Sequence, residues 1–159
     1  MAVARYRIPD EPRTTGLVKY AVDPMWPLLA TMLAGNGIGL LWFAFNTRAL
    51  GSVSAAREYG YALLSPLACV AVFLAIAAGV ESRWLPNDAS VEYAKLAYPA
   101  VKLTFAYLLY LSQARSAELL THYGGTLRNG AIGLFACFLL SRNVIDGMLL
   151  PALLDEALR

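Results

Sequence analysis

Four apolar stretches, at residues 25–45, 60–80, 95–112 and 130–154, occupy most of a 159-residue chain and leave only short polar segments between them. At about 1.5 Å of rise per residue, each one coiled into a helix has roughly the length needed to cross an apolar layer about 30 Å thick. The stretch at 60–80 holds no Asp, Glu, Lys, Arg or His, whereas a helix on the surface of a soluble protein needs a polar face. The pattern predicts an all-α integral membrane protein with four transmembrane helices, paired as two helical hairpins. A polar N-terminal tail at 1–23 precedes a membrane domain at 24–155.

Composition agrees, with 58% hydrophobic residues and only 15% charged, where a soluble domain carries nearer a quarter charged. Mean hydropathy is +0.53. The formal net charge of +2 is too small to point to nucleic acid as a partner. No short apolar segment lies near Met1, so the first helix is expected to remain as an uncleaved anchor.

An even number of crossings would put both termini on one face, together with the loop at 81–92. Seven basic residues then fall on that face (Arg5, Arg7, Arg13, Lys19, Arg83, Lys95 and Arg159). Four fall on the other (Arg48, Arg57, Arg115 and Arg128). The positive-inside rule makes the first face cytoplasmic, which implies a multi-pass protein of the bacterial inner membrane with cytoplasmic termini. Trp26, Trp42 and Trp84 sit near the expected interfaces.

Chemistry would have to come from polar groups at membrane depth. Asn36, Lys102, Arg142 and Asp146 qualify, and each charge among them costs at least ~2.5–3.5 kcal/mol to insert unless paired or hydrated. Arg142 and Asp146 are four apart and can meet on one helix face. Antiparallel packing could bring Lys102 to them, as a register-fixing ion network or as a site for an anion or proton. Alternatively the last span stops near residue 140, and Arg142 and Asp146 lie on an interfacial helix facing water.

Gly35 and Gly39 have the spacing of a helix-contact face. A motif of aromatic, two residues, amide, one residue, arginine occurs twice, as Phe43, Asn46, Arg48 and again 67 residues later as Tyr110, Gln113, Arg115. Arg48 and Arg115 are placed to meet lipid phosphates. Cys69 and Cys137 lack CxxC spacing and read as small packing groups, and the lone His122 cannot supply paired haem ligands. Phosphate-loop, dinucleotide, zinc-protease and nucleophile-elbow motifs are absent from the sequence, and neither cofactor nor metal is expected.

These features predict a non-catalytic accessory or structural subunit, acting through helix contacts in a larger membrane complex or a homo-oligomer. The alternative is a small oligomeric transporter or channel built around Lys102, Arg142 and Asp146.

Overall fold

A computed structural model describes residues 16–85 and 87–144. The tail at 1–15, Asp146 and the remainder of the fourth apolar stretch lie outside the described residues. Six α-helices follow a short 3-10 turn at Val18–Tyr20: α1 Met25–Leu33, α2 Asn36–Leu50, α3 Ala55–Glu81, α4 Asp88–Lys95, α5 Ala97–His122 and α6 Ala131–Val144. Among the described residues there is no strand, only one isolated backbone bridge between Val22 and Arg128.

The first apolar stretch does not form the continuous helix expected at 25–45. It breaks at Gly35, whose φ of +99° lies in a region that side chains other than glycine rarely adopt. α2 then folds back on α1. A Cβ added at Gly39 would stand 2.5 Å from the Cα of Thr31, so the two backbones meet where only glycine fits. The ends of the hairpin are joined as well. The Asn46 amide donates to the Val22 carbonyl (3.1 Å) and accepts from the Val22 N–H (3.0 Å), so a side chain pairs with backbone as a strand neighbour would. Gly35 is therefore a turn residue and Gly39 an intramolecular contact. This stretch leaves the fold at the end it entered.

That end, called proximal here, collects Ala21 with Ala49, Leu50, Ala117 and Leu120 in one buried cluster. The last residues of the expected polar tail are thus built into the core: Ala21 and Val22 are both buried. Lys19, Arg48, Arg57, Arg115 and Arg128 lie around it. The distal end carries Glu81, Arg83, Asp88, Glu92 and Lys95.

α3 runs the length of the molecule and, among the described residues, is the one helix both long and apolar enough to cross a bilayer. Pro66 lies inside it without ending it. The third stretch is also rearranged. Pro99 has no N–H to bond the carbonyl of Lys95, and the helix divides there into α4 and α5. α5 then continues through Gln113, Arg115 and Glu118 to His122, ten residues past the predicted span. It stops at Gly124 (φ +83°), where the Gly125 N–H bonds the Leu120 carbonyl in a helix-terminating turn. α6 starts where Asn129 accepts from the Ala131 N–H, and its glycines Gly130 and Gly133 admit the rings of Trp26 and Trp42.

Large apolar side chains cover much of the described surface, while several polar ones are buried beside the apolar clusters. Leu63, Leu67, Phe73 and Leu74 of α3 and Ile132 and Phe135 of α6 are exposed, while Thr31, Asn46, Thr47, Glu58, Ser65, Ser112 and Gln113 are buried.

Candidate functional site

The buried polar groups form three clusters between α2, α3 and α5, two side by side near the proximal end on either side of α5 and one farther in. α3 sets the scale: at about 1.5 Å per residue its 27 residues span roughly 40 Å.

The first cluster surrounds Glu58, which lies in the first turns of α3 and is 0% exposed. Its Oε1 accepts from Ser52 (2.5 Å), Ser54 (2.7 Å) and Ser112 (3.2 Å), and Ser116 donates to Ser52 (3.0 Å). The loop between α2 and α3 is thereby tied to α5. Oε2 is buried and has no partner among the described residues. On the outer side Arg57 donates to the Ser112 hydroxyl (3.3 Å), so Ser112 links a guanidinium to the enclosed carboxyl.

The second cluster is built from the two amides of the repeated motif. Asn46 donates to Gln113 Oε1 (3.0 Å), and Gln113 donates to the Phe43 carbonyl and to Thr47 Oγ1, both at 2.8 Å. The offset of 67 seen in the sequence is the separation of two buried residues in direct contact near the proximal end. The arginines that complete the motif do not meet in the same way. Arg115 lines a cleft that Arg57 also borders, and Arg48 sits in the last turn of α2 with interactions of its own.

The third cluster lies at the hairpin tip. Asn36, the first residue of α2, contacts Ser65 Oγ (3.2 Å) and Cys69 Sγ (3.8 Å). Ser65 and Cys69 are about 15 and 21 Å along α3, so the tip reaches the middle of that helix. Lys102, half-buried on α5, lies within electrostatic reach of Cys69. Of the predicted polar residues, then, Asn36 touches Cys69, and Lys102 lies near enough for its charge to act there. Arg142 is exposed near the end of α6 and has a partner of its own, and Asp146 is outside the described residues. Beside this cluster an apolar groove of about 510 Å³ opens between α2 and α3, bordered by Gly37, Leu41, Ala44, Leu63 and Pro66.

Sequence reasoning did not single out Glu58 and its serines. Their signal was available in the Ser52, Ser54 and Glu58 cluster at a helix start, where short hydroxyls and a carboxyl habitually gather. Both cysteines are free, and among the described residues no three His, Cys, Asp or Glu side chains converge as metal ligands. No protein-family model, curated protein or solved structure matches the chain.

Proposed function

We propose that the chain is a polytopic membrane protein and works as a non-catalytic subunit of a larger membrane assembly. The observation that carries the membrane reading is the apolar surface together with a partly polar interior. Large apolar residues cover α3 and α6, whereas an amide pair and a carboxyl occupy the interior, an arrangement that lipid favours and water opposes. In this reading α3 and the α4–α5 pair cross the bilayer, α6 begins a further crossing, and α1–α2 is a re-entrant hairpin. Folded-back helices at membrane depth are tolerated when protein covers their ends, as α3 and α5 cover the tip at Asn36.

Parity then differs from a four-span arrangement. The N-terminal segment shares a face with the loops at 51–54 and 123–129, opposite the loop at 82–87. Basic residues on the proximal face outnumber those on the distal face, so the proximal face is cytoplasmic, in an inner membrane if the source is bacterial. The subunit role is supported by a polar core that nearly satisfies itself and by the apolar groove between α2 and α3, which offers a partner helix a ready surface.

A second reading, a small oligomeric transporter or channel, is favoured by the group of Asn36, Ser65, Cys69 and Lys102. Broken helices whose N-termini meet at mid-depth are a recurrent way of building a solute site. Single cysteines introduced for Asp23, His122 and Trp84 test the topology in sealed vesicles. Impermeant maleimide should label the first two from one side and the third from the other, whereas four full crossings put Asp23 with Trp84. Gentle extraction followed by native mass measurement tests the role. A stoichiometric larger partner supports the subunit, and a homo-oligomer with solute flux that Lys102→Ala abolishes supports the transporter.

A further inference from the structure

We propose that the cleft between the proximal halves of α3 and α5 is a binding site for the phosphate headgroup of one anionic phospholipid. The inference rests on the membrane reading above and names a ligand for a surface which that reading leaves bare. The cleft has a volume of about 170 Å³ and is lined by Arg57 and Tyr61 of α3 and by Leu108, Leu111, Ser112 and Arg115 of α5. Arg57 and Tyr61 are one turn apart, as are Leu108 and Ser112, and Leu111 and Arg115, so the two helices present matched ridges.

The lining changes character with depth. Both guanidiniums and the Ser112 hydroxyl lie at the proximal end, and the Tyr61 ring and Leu108 lie one turn farther in. A phosphodiester carrying acyl chains has the same order of chemistry along the membrane normal. A free anion would have no use for the two exposed leucines.

Charge argues for the same class of ligand. Among the described residues neither Arg57 nor Arg115 makes an ion pair, the one ion pair there being Lys95 with Glu92. Two cations facing one cleft repel each other, and an oxyanion between them, held by the forked geometry of guanidinium, relieves that repulsion. Glu58 does not neutralise them directly. Its Oε1 accepts a hydrogen bond from the Ser112 hydroxyl, which leaves the Ser112 oxygen to accept from Arg57 at 3.3 Å and holds that guanidinium against the wall of the cleft. The buried carboxyl thus positions Arg57 and is a support for the site, not a ligand in it. A cation beside Glu58 is disfavoured by the same two arginines.

The test uses full-length protein in neutral detergent, with phosphatidylglycerol, phosphatidylcholine and inorganic phosphate as probes. Native mass spectrometry should show one phosphatidylglycerol retained per chain in preference to phosphatidylcholine, and the lipid should raise the thermal midpoint. R57Q and R115Q should each weaken that binding at least tenfold. R128Q, a basic residue at the same end but outside the cleft, should leave it unchanged. Both target side chains are exposed, so unchanged far-ultraviolet dichroism is expected and separates loss of binding from loss of fold. Equal retention of phosphatidylcholine, wild-type binding by both variants, or displacement of the lipid by millimolar inorganic phosphate each overturns the proposal. Alkaline extraction of native membranes reports on insertion alone, so a wrong membrane reading fails there and a wrong site fails only with the lipids.

Discussion

Replacing Gly39 with alanine tests the fold-back of the first apolar stretch. The added methyl would lie 2.5 Å from the Thr31 Cα and 2.6 Å from its backbone nitrogen, and neither atom can swing aside as a side chain could. Restoring ordinary contact requires α1 and α2 to part by about 1 Å, and forcing extra volume into a packed contact costs about 1–3 kcal/mol, the upper end applying to backbone. Alanine offsets about 1 kcal/mol of this through its higher helix propensity. Gly37→Ala, two residues away on the same helix, meets nothing within 4 Å and has only the propensity gain. G39A should therefore be about 2 kcal/mol less stable than the native protein and G37A slightly more stable. The gap of about 3 kcal/mol is more than a hundredfold in the unfolding equilibrium. Titration with dodecyl sulfate in mixed micelles, followed by circular dichroism, reads both. If the two variants shift stability alike, within about 0.5 kcal/mol, residues 25–45 form one straight helix and the hairpin is wrong. Spin labels at the exposed positions 25 and 45 give an independent answer, since a straight helix would hold them about 30 Å apart and the hairpin roughly half that.

Asn46→Ala should cost about 3 kcal/mol or more, because it strands the N–H and carbonyl of Val22 and the Gln113 oxygen. Gln113→Ala should cost less, near 1–2 kcal/mol, since Asn46, Thr47 and the Phe43 carbonyl each keep another bond. A double-mutant cycle should show coupling of about 0.6–1.7 kcal/mol, and equal single effects would refute the central role given to Asn46. Glu58→Ala, by removing the acceptor of three serines, should destabilise by about 2 kcal/mol, and Glu58→Gln by less than half of that because the amide oxygen replaces Oε1. Equal losses in the two would mean that these hydroxyl bonds contribute little.

Hydropathy read the chain's composition well and its path poorly. The stretch at 60–80 lies within α3, because a long apolar run without charges satisfies its whole backbone as one continuous helix. The stretch at 25–45 likewise holds no charged side chain, yet its path turns on a single backbone angle at Gly35 that no window average records. Pro99 interrupts the third stretch between α4 and α5, but α5 runs on to His122 because Gln113, Arg115 and Glu118 are good helix formers despite their polarity. In the site, the recurrence at an offset of 67 was legible as pattern and silent about contact. Asn46 and Gln113 are drawn together by their need for partners in an interior that offers few. Arg48 and Arg115, equivalent in the motif, face outward, where nothing forces them to match.

The same asymmetry explains what can specify this fold. In the proposed bilayer setting, burial of apolar surface between helices supplies little drive, because acyl chains solvate leucine as well as another leucine does. What remains is close backbone approach and hydrogen bonding, and the chain concentrates both at the hairpin. Gly39 lets α2 lie on Thr31, Gly130 and Gly133 let α6 close over Trp26 and Trp42, and Asn46 fastens the point of entry to the point of exit. Each contact would be unmade if the first stretch ran straight, since Val22 and Asn46 would then stand about 36 Å apart. One glycine angle and one amide therefore govern more than local shape. They decide whether the N-terminal segment lies with the arginine-rich face or opposite it, and so, in the proposed membrane setting, on which side Arg57 and Arg115 stand.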